Sequence, residues 1–272
     1  MKIYCLVENT KSSGDFECEH GLSLFIDTGT RKILFDMGES DAYIRNAEKL
    51  GLDLSKADMA ILSHGHYDHG GGLKAFLEIN KKAPVYVSRH GFEPHYNKDK
   101  KYIGLDTSIQ SDRIIFVDKT TNIDTGISIL NCNDKKAQYK IDTFGQAVFE
   151  NEVFTEEDYR HEQYLMIEVC GKRILFTGCS HKGILNIVNW IEADYIIGGF
   201  HFFKMEIDKI LEICASYLGT FDCQFFTCHC TGKEQFDFMK QFANNIKYIS
   251  SGDIIEFWGK TWKRYLVYFW PC

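Results

Sequence analysis

The sequence has few prolines, no long apolar run and no excess of positive charge. Only three of its 272 residues are proline and no low-complexity tract is present, so disordered linkers are not expected. No stretch approaches the roughly 18 consecutive apolar residues of a membrane helix. The formal net charge of -7 disfavours nucleic acid or an anionic membrane as main partner. These absences predict a compact domain over residues 1–272 that acts on a small molecule.

Nothing at the start of the sequence directs export. The apolar part of residues 1–8 is too short for a signal peptide and is typical of a first β-strand. The ten cysteines are therefore expected to be reduced thiols of a cytoplasmic protein. Cys179 follows a glycine at a strand end, and Cys228 and Cys230 flank His229, so these three cysteines are candidate metal ligands. The other seven are expected to be small buried side chains or inert surface thiols.

Strands and helices alternate along both halves of the chain. Ser40 is the predicted N-cap of an early helix, and a later helix is predicted over Met205–Tyr217. Residues 89–113 are polar and weakly periodic, which predicts a long loop. The last predicted strand is Ile254–Trp258. Two such halves predict two sheets packed face to face with helices outside, which is an α/β four-layer αββα sandwich.

Three imidazoles and one carboxylate lie within six residues, in the run His64-Gly65-His66-Tyr67-Asp68-His69. His64 and His66 are two apart in an extended segment, so their side chains point the same way and can bind one metal. Asp68 and His69 follow a turn and can reach a second metal close by. Imidazole nitrogen and carboxylate oxygen suit zinc, iron or manganese. This clustering at a strand end favours a metal centre over a histidine-rich surface loop.

The histidine run resembles the His-x-His-x-Asp-His signature of the metallo-β-lactamase superfamily. Members of that superfamily share the αββα sandwich and bind one or two metals between the sheets. The resemblance implies that Asp36, in Leu34–Gly38, does not bind the metal itself but holds the residues that do. Thr177-Gly178-Cys179 resembles the Thr-Gly-Asp motif, with Cys179 in place of the aspartate that commonly bridges both metals. His229 resembles the final metal-ligating histidine.

Five further segments narrow the resemblance to one branch of the superfamily, and together they span nearly the whole chain. That branch is named for a dihydropteroate-synthase-like activity in methanopterin biosynthesis, and many of its bacterial members are called metal-dependent hydrolases. The branch name is a weak guide to the substrate, because a fold does not fix a function. The segments are Leu6–Thr10, Glu19–Ser23, Gly178–His181, Gly198–His201 and His229–Gly232.

The third ligand of the first metal has two candidates. His161 precedes a strand near the place where the superfamily usually supplies a histidine, but an exposed histidine in a charged segment is the alternative. His181 is favoured because the other ligands gather at carboxyl ends of strands. Cys179 is either a thiolate ligand or a small buried residue. The predicted ligands of one or two divalent ions, with zinc expected and manganese or iron possible, are His64, His66, Asp68, His69, Cys179, His181 and His229.

Four more histidines have open roles. His201 follows two glycines at a strand end, which makes it a proton donor to the substrate, a further ligand or a structural histidine. His20 either belongs to a loop over the site or has no role there. His90 and His95 fall in the long loop near Arg89, where contact with an anionic substrate is one alternative and ordinary solvated side chains are expected.

The residues and the resemblance together predict metal-assisted hydrolysis of a small ester, phosphoester or related metabolite. In this hypothesis Asp68 orients the nucleophile and His201 assists the leaving group. One alternative is a synthase that joins a dihydropterin to a ribosyl-aminobenzene phosphate, as the branch name implies. A second is a non-catalytic metal-binding sensor, which the full set of donors disfavours. The sequence leaves the substrate, the metal and the oligomeric state open.

Overall fold

Two seven-stranded sheets pack face to face, and helices cover both outer faces. The computed structural model describes residues 1–257 of the chain. This architecture confirms the predicted αββα sandwich. Residues 258–272 of the expected domain lie outside the described residues, and so does Trp258, the last residue of the predicted strand Ile254–Trp258.

The described residues contain 17 strands, six α-helices and two short 3-10 helices, Leu54–Lys56 and His229–Thr231. The α-helices are α1 (Ala42–Lys49), α2 (Tyr67–Gly70), α3 (Leu73–Ile79), α4 (Ile184–Trp190), α5 (Lys209–Leu218) and α6 (Lys233–Met239). The strands are β1 (Lys2–Val7), β2 (Ser23–Asp27), β3 (Lys32–Phe35), β4 (Met59–Ile61), β5 (Val85–Ser88), β6 (His95–Tyr96), β7 (Ile114–Val117), β8 (Thr121–Asp124), β9 (Ile127–Leu130), β10 (Ala147–Glu150), β11 (Val153–Glu156), β12 (Tyr164–Val169), β13 (Lys172–Gly178), β14 (Tyr195–Gly198), β15 (Gln224–Thr227), β16 (Ile246–Tyr248) and β17 (Ile254–Glu256).

Each large sheet contains a block of parallel strands. The first sheet has the order β17-β1-β2-β3-β4-β5-β7, and β3, β4, β5 and β7 are parallel. The second has the order β16-β15-β14-β13-β12-β9-β8, and β13 to β16 are parallel. Ligand sites of α/β sheets lie beyond the carboxyl ends of parallel strands. The loops that leave these two blocks are therefore the natural place for a site.

Alternation along the strands builds three apolar layers. In β3, Ile33 and Phe35 face the other sheet while Leu34 faces helices α1 and α3. In β13, Phe176 points into the same inter-sheet core and Leu175 faces helices α4, α5 and α6. The rings of Phe35 and Phe176 meet across the sheets with centroids 5.7 Å apart. Strands buried on both faces explain why these segments are continuous apolar runs.

Helix α1 begins one residue later than the predicted cap implies. Asp41 occupies the N-cap position but makes no side-chain capping hydrogen bond, and the predicted residue Ser40 caps the helix from one position earlier. The Ser40 hydroxyl accepts a hydrogen bond from the Ala42 N–H (3.1 Å) and donates one to the Glu19 carboxylate (2.5 Å). Ser40 thus fastens the loop that carries Glu19 to the start of the helix.

Helix α5 begins at Lys209, four residues after the predicted start at Met205. The Asp208 carboxylate accepts hydrogen bonds from the N–H groups of Ile210 (2.8 Å) and Leu211 (3.2 Å). An aspartate cap of this kind fixes a helix start more strongly than the apolar residues that precede it.

A small third sheet, β11-β10-β6, is built from two insertions. Strand β6 lies in the chain between β5 and β7 of the first large sheet, and β10 and β11 lie between β9 and β12 of the second. The predicted loop 89–113 contains the shortest strand of this small sheet, β6, which pairs with β10 through the register Val148↔His95. Among residues 1–257, no helix combines the length and the apolar composition of a membrane span.

The inter-sheet core should carry much of the stability. Ile129 in β9 is 0% exposed between the sheets, whereas Ile213 on α5 is 57% exposed. We expect Ile129→Ala to lower the free energy of unfolding by about 2–5 kcal/mol, because it leaves a cavity. The matched control Ile213→Ala should change it by about 0.5 kcal/mol or less. Urea unfolding measures both, and equal losses would contradict the assigned core.

Candidate metal centre

The loops after five parallel strands bring chemically reactive side chains to one rim of the sandwich. Each residue follows the carboxyl end of its strand by one to three positions, and all except His201 are buried. They are Asp36 after β3, His64 after β4, Cys179 after β13, His201 after β14 and His229 after β15.

Asp36 organises the first part of the site. Its carboxylate accepts hydrogen bonds from the Ser63 N–H (2.7 Å) and the Ser63 hydroxyl (2.7 Å), and Nδ1 of His69 lies 2.6 Å from it. Since Ser63 gives its one proton to Asp36, its oxygen accepts from Nδ1 of His64, 2.8 Å away. Nδ1 of His64 and Nδ1 of His69 therefore carry protons that are bonded to Ser63 and Asp36. In neutral His64 this leaves the lone pair on Nε2, which points toward the other candidate ligands.

The first group of candidate ligands contains His64, His66 and His181. Nε2 of His64 lies 3.2 Å from Nε2 of His181. The ring of His66 completes the group, with centroids 4.7 Å from His64 and 4.9 Å from His181. Burial, and then the neighbouring imidazoles, lower the pKa of all three well below the ordinary value of 6.5. These rings are therefore neutral at pH 7, which is the state that binds metal.

The second group contains Asp68, His69, Cys179 and His229. Nε2 of His69 lies 3.1 Å from Sγ of Cys179 and 3.2 Å from Nε2 of His229, which is itself 3.3 Å from Oδ2 of Asp68. Nδ1 of His229 lies 2.7 Å from Oδ1 of Asn9, an oxygen that also accepts from a backbone N–H. His229 therefore donates from Nδ1 and turns the Nε2 lone pair toward the group.

Cys179 belongs to both groups. Its sulfur lies within 4.8 Å of the ligand atoms of His64 and His181 on one side, and of Asp68, His69 and His229 on the other. Burial raises the pKa of the Cys179 thiol well above its ordinary value of 9.0. Ligation by the thiolate would therefore need the positive charge of an ion. Cys179 occupies the shared position at which the resemblance implies a bridging aspartate.

The electrostatics of the second group favour positive charge. Burial lowers the pKa of His69, but the carboxylates of Asp36 and Asp68 outweigh it and raise the pKa to about 9. Burial raises the pKa of Asp68, but His69 and His229 outweigh it and hold the pKa well below 3.8. The carboxylate stays ionised in a buried place, which suits a cation between these groups.

His161 lies beside the first group but presents the wrong nitrogen to it. It is fully buried, so the alternative of an exposed histidine was wrong. The Gly65 N–H donates to Nδ1 of His161 (2.9 Å). In the neutral ring the proton is then on Nε2, which lies 3.7 Å from Oε1 of Glu157. A protonated Nε2 has no lone pair for a metal, so the geometry favours His181 over His161.

His95 is not the solvated side chain that was expected. It is fully buried in β6, and its Nδ1 lies 2.7 Å from Oε2 of Glu157, while its ring stacks on His161 with centroids 4.0 Å apart. His90 does lie in the loop, half-buried against Glu93 (2.6 Å). No local sequence signal joins His95 to Glu157, because 62 residues separate them.

Glu162 is a second buried carboxylate that the sequence did not single out. It accepts hydrogen bonds from the N–H groups of His181 (2.6 Å) and Lys182 (3.0 Å). The Tyr164 hydroxyl donates a third (2.7 Å). These bonds fix the turn after β13 and so hold His181 against the first group.

A cavity of about 120 Å³ opens over both groups. His20 lines it, with Nε2 3.3 Å from Oδ2 of Asp68, which places this histidine at the site. His201 also lines it, between the rings of Phe144 and Phe203 at centroid distances of 5.3 and 5.5 Å. The cavity gives a small substrate direct access to the candidate ligands.

Comparisons with known proteins identify the family of this chain. The model of the metallo-beta-lactamase superfamily matches residues 17–183. An uncharacterized protein of Methanocaldococcus jannaschii is 31% identical over an alignment of 265 positions, and the alignment covers 93% of this chain and 99% of that protein. Another protein of that organism is named 7,8-dihydropterin-6-methyl-4-(beta-D-ribofuranosyl)-aminobenzene-5'-phosphate synthase. It is 28% identical over an alignment of 284 positions, and the alignment covers 94% of this chain and 97% of that protein.

A solved structure extends the similarity to three dimensions. It is the crystal structure of a metal-dependent hydrolase of the beta-lactamase superfamily, 29% identical, and the match covers 94% of this chain and 99% of the other with a TM-score of 0.80. The family resemblance in the motifs and the fold are both confirmed. The family model spans more than half of the sequence, and the chain belongs to the metallo-β-lactamase superfamily.

Proposed function

We propose that this protein is a metal-dependent hydrolase of a small ester, phosphoester or related metabolite. The observation that carries the proposal is the pair of buried donor groups, which meet at Cys179 and contribute residues to the wall of one cavity. The similar metal-dependent hydrolase supports the reaction class.

The donors fit one or two divalent ions. Imidazole nitrogen, carboxylate oxygen and thiolate sulfur are all zinc ligands, whereas manganese and iron favour the nitrogen and oxygen atoms. Nε2 of His66 is buried without a hydrogen-bond partner among residues 1–257, as expected for a nitrogen that binds a metal ion. The proposed first set is His64, His66 and His181, and the proposed second set is Asp68, His69, Cys179 and His229.

The residues of the chain have distinct proposed roles. A bound divalent ion would polarise the substrate and lower the pKa of water. Asp68 is 8% exposed at the cavity wall, where its carboxylate can orient an attacking water and accept its proton. His201 faces the same cavity and is proposed either to protonate the leaving group or to act as a further ligand. Asp36, Glu162 and Asn9 hold the ligands in place.

A synthase reaction is the second candidate. One relative is named a dihydropterin-related synthase, and its alignment covers 94% of this chain. The cavity is smaller than the roughly 300–1,000 Å³ of most small-molecule pockets. A pterin conjugate would therefore extend beyond it. Purified protein that retains a pterin would favour the synthase, whereas turnover of a generic phosphodiester or ester would favour the hydrolase. A metal-binding sensor would show neither.

Metal content tests the foundation of the proposal. We expect the purified protein to contain one to two equivalents of transition metal, since the two donor groups form only in the folded chain. Elemental analysis measures the content. A purified protein that contains no metal and is not activated by added zinc, manganese or iron would contradict the proposal.

The third ligand of the first set can be tested by a pair of variants. His181→Ala should lower metal affinity on the order of tenfold or more, because it removes a ligand. His161→Ala should lower it much less, because Nε2 of His161 carries a proton in the neutral ring. Equilibrium metal binding on folded protein, checked by circular dichroism, compares the two. Equal and negligible losses would mean that Cys179 or His201 fills the position.

Asp68→Asn tests catalysis apart from folding. The amide keeps the shape of the side chain but removes the charge that accepts the proton of water, so we expect turnover to fall roughly a hundred- to ten-thousand-fold. The variant should stay folded and retain an ion at the first set. The exposed residue Asp222 supplies the control, Asp222→Asn, which should keep normal rates. Near-normal turnover of the Asp68 variant would remove this residue from the mechanism.

A further inference from the structure

We propose that Cys179, Cys230 and His201 form an additional metal position, a thiolate–imidazole set that takes zinc or another thiophilic divalent ion. This position lies beside the histidine–carboxylate centre and shares Cys179 with it. It rests on the proposed function only through that shared sulfur, because Cys230 and His201 belong to neither of the two ligand sets.

The donor atoms are already close together. The sulfurs of Cys179 and Cys230 and a ring nitrogen of His201 lie within 4.8 Å of one another. Tetrahedral zinc, with Zn–S near 2.3 Å and Zn–N near 2.0–2.1 Å, separates such atoms by roughly 3.5–3.8 Å. Small side-chain rotations would therefore bring all three atoms into one coordination shell, and a fourth position would remain open to the cavity.

The ring of His201 packs against the rings of His181, Phe144 and Phe203. Both of its ring nitrogens are buried and have no hydrogen-bond partner among residues 1–257. In contrast, one nitrogen of His64, His69 and His229 is fixed by a neighbouring side chain. Two unpaired buried nitrogens in one ring are unusual, and a metal ion would satisfy the nitrogen that faces the thiols.

The local backbone is shaped around the three side chains. His201 has φ +58 and His229, next to Cys230, has φ +47, which is left-handed backbone that costs energy in residues other than glycine. A Cβ on Gly199 would lie 2.3 Å from the sulfur of Cys230. Only glycine therefore allows Cys230 to reach its position. Strained backbone that aims side chains at a common point is typical of functional sites.

The chemistry of this set differs from that of its neighbours. Two thiolates and an imidazole are softer donors than Asp68 with His69, and they select thiophilic ions. Both sulfurs would bind as thiolates, so any proton that either sulfur carries would pass to solvent on binding. The Cys230 thiol donates a hydrogen bond to the Cys179 carbonyl oxygen (3.4 Å), and this bond would be given up when the sulfur turns toward an ion.

Cobalt(II) titration of metal-stripped, full-length protein tests the position, because cobalt–thiolate bonds absorb in the near ultraviolet and imidazole or carboxylate bonds do not. At saturation we expect Cys230→Ala to lose about half of the thiolate absorption and Cys179→Ala to lose a similar share. His201→Ala should keep the band but weaken cobalt binding at least tenfold. The matched control is Cys228→Ala, whose thiol faces the inter-sheet core and should not contribute to the band.

Zinc X-ray absorption of the wild-type protein measures the number of sulfur ligands without the need for a variant. Scattering from two sulfurs supports the proposal, even if Cys230→Ala does not fold. A single sulfur, together with a band that vanishes in Cys179→Ala and is unchanged in Cys230→Ala, would overturn it and leave the histidine–carboxylate centre intact. Absence of bound cobalt would overturn both. A missing hydrolase activity would leave this test unaffected, since no turnover is measured.

Discussion

Asp36 is fully buried at the end of β3, and its carboxylate accepts two hydrogen bonds from Ser63 and one from His69. A buried carboxylate must be paired to be tolerated, and these donors supply the pairing. The same bonds join β3 to β4 at the rim and determine which nitrogens of His64 and His69 face the other candidate ligands. The orientation of the candidate ligands therefore depends on one side chain that touches neither the cavity nor a substrate.

The two sheets contribute to the site in different ways. The first sheet delivers the histidine run as one continuous segment, so its ligands are ordered by local backbone geometry. The second sheet delivers its residues from three separate loops, after β13, β14 and β15. Two of these loops have supports: Glu162 holds the turn that carries His181, and Asn9, from the first sheet, holds His229. The candidate ligands therefore come together only where the two sheets pack against each other.

The features that could be predicted from the sequence are those that depend on residues close together in the chain. The periods of apolar residues indicated the sandwich, and the histidine run indicated the first donors because its members lie within six positions. His95 and Glu157 could not be paired in advance, because their contact depends on how a two-residue strand joins the third sheet. The choice between His161 and His181 depends on a backbone N–H that reaches one ring nitrogen. Such protonation patterns exist only after the chain has folded.

Gly65 lies between the two first histidines of the run, and its surroundings link the ligands to the loop that precedes β6. A Cβ at this position would lie 2.2 Å from the Gly91 carbonyl oxygen and 3.0 Å from Nε2 of His95. The loop at Gly91 is therefore packed directly on the backbone of the histidine run, with no side chain between them. A side chain at position 65 would push this loop and His95 away from the segment that carries His64 and His66. Position 65 is thus a steric constraint on the candidate ligands, although glycine itself supplies none of the donor atoms.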